Sequence, residues 1–148
     1  MTFIVGEVYL GYRIKGSLAD ATKVSSSADA EKVLRSVWDA ETINLRESFK
    51  VLLLNRSNRT INVFNLSEGG VSGTVADVRL VVQAALLGNA SGVILAHNHP
   101  SGSLGASESD RQITTKIRDA LKLFGIELLD HLILTNENYY SFSDSGAI

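Results

Sequence analysis

The chain combines two hydrophobic patterns, a period of two that is typical of strands and a period near 3.6 that is typical of helices. Residues 7–15 alternate apolar and polar side chains, which predicts a half-buried strand at the edge of a sheet. Short apolar runs between turn residues predict further strands. These strands are expected over residues 49–55, 60–65, 93–96, 126–135 and 139–143.

Three segments place apolar residues at helical spacing, which predicts amphipathic helices packed on a sheet. The first is expected over residues 28–39, after an N-cap within the serine run 25–27. The second is expected over 77–87, ending at Gly88, and the third over 107–124, ending at Gly125. The inward positions are Val33, Leu34, Val37 and Trp38 in the first helix, Val78, Val81, Val82, Ala85 and Leu86 in the second, and Ile113, Ile117, Ala120, Leu121 and Phe124 in the third.

Strands that alternate with helices predict an α/β fold, in which helices flank a mixed β-sheet. A chain of 148 residues is long enough for one domain with its own core. The glycine-rich stretch 66–73 matches neither common phosphate-binding glycine pattern and predicts a flexible connection. Periodicity leaves the order of the strands in the sheet open.

Composition narrows the class of protein further. The hydrophobic fraction of 45% and the charged fraction of 20% are those of an ordinary globular domain. The chain has no cysteine, so a metal would have to be bound by His, Asp or Glu, and a reducing, cytoplasmic location is expected. The net charge of −2 gives no general attraction to phosphate backbones, so DNA is not expected as a direct partner.

Two apolar stretches, residues 1–10 and 80–96, are candidates for a signal peptide and a membrane span, and neither fits. The first ten residues lack the basic start of a signal peptide, and their apolar run is broken by Gly6 and Glu7. Residues 80–96 are interrupted by polar residues and glycines, which makes them too broken to span a bilayer.

The candidate chemistry follows the strand predicted at 93–96. His97 and His99 come directly after it, and residues two apart on a strand point to the same side, so both imidazoles can reach one cation. After a loop that contains proline and glycine, Ser107 begins a helix and places Asp110 in its first turn. Two histidines, one carboxylate and one place left for water are the ligand count of a catalytic zinc site.

These residues also have a structural interpretation. Ser107-x-x-Asp110 is the pattern of a capping box, and a histidine near a strand end is often only a hydrogen-bonded structural residue. The two interpretations of Asp110 are compatible, because the helix dipole favours an anion at the N-terminus whatever else that anion does. Two of the chain's three histidines, an acid and fixed spacings together favour the metal site.

The pattern H-x-H-x7-S-x-x-D resembles the signature of the JAMM (MPN-plus, JAB domain) metalloproteases, and H-N-H-P-S-G resembles its RadC branch. Residues 45–148 are similar to the whole RadC catalytic domain, including L-L-D-H-L-I around His131 and the closing Y-S-F at Tyr140. The resemblance implies the cytidine-deaminase-like JAMM architecture. It also implies a stand-alone catalytic core over 45–148 after an extension over 1–44, without the N-terminal helical domain of full-length RadC proteins.

The same resemblance implies metal-assisted hydrolysis of a peptide or isopeptide bond. His97, His99 and Asp110 are expected to bind Zn²⁺, Glu47 to act as the general base, and Ser107 to donate a hydrogen bond to the developing oxyanion. The sequence departs from the RadC pattern at Ala106, where a proline commonly precedes the serine, and this predicts a less rigid loop.

Two alternatives stay open. One is functional: a RadC-type accessory protein of DNA repair with little or no peptidase activity. The other concerns His131, which is interpreted first as a buried histidine hydrogen-bonded to a neighbour, with Asp130 as one candidate. A role in orienting a metal ligand from behind is the alternative for this residue. The sequence names neither a substrate nor an oligomeric state.

Overall fold

The computed structural model describes residues 15–69 and 75–148. Its helices are α1 (Ser27–Ser36), α2 (Val78–Leu87) and α3 (Glu108–Lys122), with a short 3₁₀ helix at Leu18–Asp20. Its strands are β1 (Ser48–Leu54), β2 (Thr60–Glu68), β3 (Gly92–Asn98), β4 (Glu127–Leu134) and β5 (Tyr139–Ser141). In these described ranges the strands form one sheet in the order β2-β1-β3-β4-β5, in which β3 and β4 are parallel and the other pairs antiparallel. The predicted α/β fold, a mixed sheet flanked by helices, is confirmed.

Two apolar layers cover the two faces of the sheet. Helices α2 and α3 pack on one face and α1 on the other. The central strands β1 and β3 are buried along their whole length, because both of their faces are covered. Leu95 points into the α2–α3 layer and Ala96 into the α1 layer. By the same alternation His97 lies on the α2–α3 side of the sheet and Asn98 on the α1 side.

Helix α1 begins at the predicted serine run and ends earlier than predicted. Ser26 is its N-cap, and its hydroxyl accepts a hydrogen bond from the backbone N–H of Asp29 at 3.2 Å. The helix ends at Ser36 because Val37 leaves the helical conformation, with φ −114° and ψ 3°. Val37 is exposed, so its assignment to the core is wrong, whereas Trp38 is buried as predicted.

The other two helices each place one predicted core residue at the surface. Leu86 of α2 and Phe124 after α3 are both exposed. Helix α3 ends at Lys122, where successive N–H groups bond to carbonyls three residues back and the chain tightens before Gly125 at φ 68°. This tighter turn rotates Phe124 away from the stripe of α3 that packs on the sheet.

The strands differ from their predicted bounds at the ends. Strand β2 continues to Glu68, so the first part of the predicted flexible connection is strand, and β3 continues through Asn98. The predicted edge strand lies outside the described residues except for its last residue, and residues 70–74 also lie outside them. None of the described helices is long and apolar enough to cross a membrane.

Candidate metal centre

His97 and His99 present their imidazoles from the end of β3. His97 is buried, pairs with Phe49 across the β1–β3 ladder, and stacks on the Phe49 ring with centroids 5.6 Å apart. His99 follows the strand, and its N–H donates to the carbonyl of Leu134 on β4 at 2.9 Å, which continues the strand direction. The Nε2 atoms of the two histidines lie 3.0 Å apart. The Nε2 atoms of both rings can therefore contact the same ion.

Two carboxylates approach this pair of imidazoles. Asp110, in the first turn of α3, places Oδ1 3.2 Å from Nε2 of His97 and Oδ2 3.7 Å from Nε2 of His99. Glu47, directly before β1, places Oε1 3.9 Å from Nε2 of His97. Three potential ligand atoms, one each from Glu47, His97 and His99, also lie within 4.8 Å of one another. The geometry alone allows either carboxylate to act as the third ligand.

Ser107 connects α3 to this cluster through a capping box. Its hydroxyl accepts from the N–H of Asp110 at 3.0 Å, and Oδ2 of Asp110 accepts from the N–H of Ser107 at 2.7 Å. The Asp110 carboxylate thus completes the cap with one oxygen while the other faces His97. Because the Ser107 hydroxyl accepts in the cap, its own proton stays available for donation.

The cluster is closed on one side and open on the other. The side chain of His97 is 2% exposed, whereas those of Glu47, His99 and Asp110 are 20, 16 and 15% exposed. A small polar group can therefore approach from the side formed by these three residues.

The charges of the cluster favour a cation. Burial by itself would raise the pKa of Asp110, but the imidazoles of His97 and His99 beside its carboxylate hold that pKa well below its usual range. The Asp110 carboxylate raises the pKa of His99 in turn. Nδ1 of His99 lies 2.7 Å from the carbonyl of Ser103, which can only accept, so Nδ1 carries a proton. A neutral His99 then turns a lone pair on Nε2 toward the carboxylate, an arrangement that a cation between them stabilises.

The donor set and its spacing fit a zinc ion. Ligand atoms at about 2.0–2.1 Å from a tetrahedral zinc ion lie about 3.3 Å from one another. Here Nε2 of His97 lies 3.0 Å from Nε2 of His99 and 3.2 Å from Oδ1 of Asp110, and the other carboxylate oxygen, Oδ2, lies 3.7 Å from Nε2 of His99. Two imidazole nitrogens with a carboxylate oxygen are also ligand types that zinc accepts in catalytic sites. His97 and His99 together with a carboxylate could therefore hold a metal ion at this place.

His131 lies behind His97, and its contacts correct one expectation. Its Nε2 is 2.8 Å from Nδ1 of His97, and its Nδ1 is 2.6 Å from Oγ1 of Thr114. Asp130 does not bond to this ring; its carboxylate accepts from the backbone N–H of His131 at 2.7 Å and from the Ser141 hydroxyl at 2.6 Å. Complete burial lowers the pKa of His131 well below its ordinary value, so the ring is neutral. The structure favours the alternative in which His131 orients a residue of the cluster.

Sequence reasoning missed the part played by Asn98, between the two histidines. Its fully buried side chain accepts from the N–H of Ser48 at 2.7 Å and donates to the carbonyls of Ile43 at 2.7 Å and Arg46 at 2.9 Å. The strand that carries the histidines thereby fixes the segment that carries Glu47. The available signal was its position: an asparagine in a buried strand must find hydrogen-bond partners.

Comparison with known proteins adds the family. The sequence profile of the RadC-like JAB domain matches residues 24–147. A UPF0758 protein of Flavobacterium johnsoniae is 43% identical over 144 residues, which cover 97% of this chain and 62% of the relative. A UPF0758 protein of Porphyromonas gingivalis is 44% identical over 124 residues, covering 83% and 55%. The UPF0758 protein YfjY of Escherichia coli is 44% identical over 103 residues, covering 70% and 64%.

This chain accordingly spans between 55 and 64% of the length of those three relatives. The match extends from before α1 to beyond β5, so it takes in every helix and strand that builds the cluster. The α/β fold described above agrees with that of a JAB/MPN domain. The family membership that the motif predicts is confirmed: the chain belongs to the RadC-like JAB domain family.

Proposed function

We propose that this chain is a zinc-dependent metallohydrolase that cleaves a peptide or isopeptide bond. The observation that carries the proposal is the convergence of the Nε2 atoms of His97 and His99 and the carboxylate of Asp110 within 3.0 to 3.7 Å. Membership of the RadC-like JAB domain family supports a metallohydrolase of the JAMM type. Because the chain covers only part of its relatives' length, the proposal concerns the site within this chain.

His97, His99 and Asp110 would hold the zinc ion, and Glu47 stays free for proton transfer. Asp110 is the carboxylate that approaches both imidazoles, and its capping box fixes its orientation. Glu47 approaches His97 at the longer distance of 3.9 Å. When bound, the zinc ion polarises the scissile carbonyl and lowers the pKa of water in the site to about 7.

The remaining chemistry belongs to two side chains of the protein. Glu47 takes a proton from the water whose oxygen bonds to the carbonyl carbon, and delivers it to the amine nitrogen as the C–N bond breaks. The Ser107 hydroxyl donates a hydrogen bond to the carbonyl oxygen as negative charge develops there. The substrate enters from the exposed side of Glu47, His99 and Asp110, because buried His97 closes the other side.

In this proposal residues 45–148 form the catalytic core and residues 1–44 an extension. The five site residues lie within 45–148, whereas α1 in the extension covers the face of the sheet away from His97. The substrate is a peptide or protein chain of the cytoplasm. DNA is not a direct partner, because phosphate contacts need clustered basic residues and the chain carries a net charge of −2.

The substitution Glu47→Gln tests these roles, with zinc content and turnover measured on the same preparation. Substrates come from a screen of peptide and isopeptide libraries with the zinc-loaded wild type. Glutamine keeps the shape of the side chain but cannot accept the proton, so zinc content should stay at one per chain. Turnover should fall by about 10²- to 10⁴-fold. Glu41→Gln is the matched control, since Glu41 is an exposed acid six positions earlier, and it should behave as the wild type.

Other outcomes reject separate parts of the proposal. A loss of zinc together with turnover would make Glu47 a ligand, and undiminished turnover would give the role of base to another acid. A zinc-loaded wild type that cleaves no member of either library would reject peptide and isopeptide hydrolysis. DNA binding with an affinity that falls steeply as the salt concentration rises would support DNA as a direct partner instead.

A further inference from the structure

Four residues form a continuous chain of hydrogen bonds through the interior behind the cluster. Nδ1 of His97 lies 2.8 Å from Nε2 of His131, whose Nδ1 lies 2.6 Å from Oγ1 of Thr114. Thr114 Oγ1 is in turn 2.5 Å from the carbonyl oxygen of Asp110. His97, His131 and Thr114 are almost completely buried. These hydrogen bonds therefore connect His97 on β3 to the first turn of α3, which carries the Asp110 carboxylate.

The direction of these hydrogen bonds is fixed from one end. The carbonyl of Asp110 can only accept, so the Thr114 hydroxyl donates its single proton there. Oγ1 of Thr114 must then accept from Nδ1–H of His131. The fully buried His131 ring lies against the phenyl rings of Phe49 and Phe142 and is hydrogen-bonded to no carboxylate of the described residues, so it holds a single ring proton. Its Nε2 therefore accepts from Nδ1–H of His97. Nε2 of His97 is consequently unprotonated and faces His99 and Asp110.

We propose that Thr114 and His131 are positioning residues that hold His97 in the tautomer whose Nε2 can bind a metal ion. The inference rests on the proposed zinc site and deepens it, because it identifies what makes one ring nitrogen of His97 a ligand. Stacking of Phe49 on His97 and of Phe142 on His131, with centroids 5.6 and 4.8 Å apart, restricts rotation of both rings. Partners of this kind fix the tautomer and orientation of metal-binding histidines in general.

The tautomer of His97 can be measured directly in the metal-free protein. Nitrogen-15 NMR distinguishes protonated from unprotonated ring nitrogens, and the chain has three histidines to assign. The wild type should show His97 with its proton on Nδ1 and with Nε2 free. A proton on Nε2 of His97 in the wild type overturns the inference, whether or not any variant folds.

Thr114→Val removes the hydroxyl and keeps the shape of the side chain. His131 can then move its proton to Nε2, so His97 should become a mixture of tautomers and zinc affinity should fall by about 10- to 100-fold. Affinity is measured by competition with a chromophoric chelator. Thr114→Ser keeps the hydroxyl and should retain both the tautomer and the affinity. Thr115→Val makes the same change at the exposed neighbour and is the control.

Failure of this inference and failure of the proposed function give different results. If folded Thr114→Val keeps the wild-type tautomer and zinc affinity, the role of Thr114 and His131 is rejected while the zinc site stands. If the wild type shows the expected tautomer but takes up no zinc, the tautomer is supported and the proposed function is rejected.

Discussion

At the scale of single residues, the site depends on backbone groups that can only donate or only accept a hydrogen bond. The carbonyl of Ser103 can only accept, which places the proton of His99 on Nδ1. The backbone N–H of Ser107 can only donate, which holds Oδ2 of Asp110 in a fixed position. Such partners orient the nitrogen and oxygen atoms of the site before any ligand arrives, which is the preorganisation that catalysis requires.

Asn98→Ala should destabilise the fold. The substitution leaves the N–H of Ser48 and the carbonyls of Ile43 and Arg46 without their buried partner. A buried polar group that loses its partner costs about 1–3 kcal/mol, so the free energy of unfolding in urea should fall by at least that amount. Asn136→Ala at an exposed turn is the matched control. Equal stability of the two variants would show that Asn98 does not hold the Glu47 segment.

Contacts between residues close in sequence could be predicted from local geometry, whereas contacts between residues distant in sequence could not. The H-x-H spacing and the capping box are local, so they follow from strand and helix geometry. His131 is 34 residues from its partner in β3, and Asn98 is 50 residues from Ser48. Thr114 lies four residues after Asp110, on the same side of α3. As a polar residue it was absent from the apolar stripe used to predict that helix.

At the scale of elements, the N-terminus of α3 and the end of β3 together make the site. The capping box that starts α3 also aims Asp110 at the histidines, so one local motif both begins the helix and places a carboxylate. The anion is also favoured there by the helix dipole. The start of α3 is therefore where folding and chemistry depend on the same side chains.

Ser107→Ala should lower both stability and turnover. Loss of the N-cap hydroxyl should cost about 1 kcal/mol in the free energy of unfolding, and loss of the oxyanion donor should reduce hydrolysis. Ser107→Gly separates the two roles, because glycine at an N-cap costs only about a few tenths of a kcal/mol while it also lacks the hydroxyl. Ser109→Ala on the exposed side of α3 is the control. Normal turnover in Ser107→Gly would remove the catalytic role.

Element types could be predicted from periodicity, whereas element ends could not. The apolar stripes located the three α-helices of the described residues, because a helix on a sheet must bury one side. Val37 and Phe124 fit the stripes but are exposed, because the chain leaves helical geometry just before them. A residue beyond the last helical turn no longer follows the helical period, and the sequence does not mark where that turn stops.

At the scale of the whole molecule, the sheet brings distant segments of the chain to one end. Strands β1 and β3 are antiparallel neighbours, so the start of β1, with Glu47, meets the end of β3, with the histidines. Strand β4 is parallel to β3 and places His131 behind them. Alternation of side chains indicates which faces of a strand are buried but not which strands are neighbours. The order of the strands could therefore not be predicted from periodicity. The resemblance to JAMM proteins supplied the architecture instead.

Zinc should stabilise the folded chain, because its ligands come together only when the sheet and α3 are formed. Binding to the folded state alone adds about 2.7 kcal/mol at a free zinc concentration 100 times Kd. Thermal unfolding with zinc should therefore occur at a higher Tm, and a chelator should reverse the shift. Magnesium prefers oxygen ligands, so it should give no shift at a site with two imidazoles. Equal shifts with both ions would contradict a site of this composition.

The most direct test of the account is the number of zinc ions bound per chain by the wild type and by His99→Ala after dialysis against dilute zinc. Elemental analysis gives the zinc content, and circular dichroism establishes that both proteins are folded. The wild type should hold one zinc ion per chain and His99→Ala close to none, because one of two converging imidazoles is gone. One full equivalent retained by folded His99→Ala, or none bound by the wild type, would contradict the proposed zinc site.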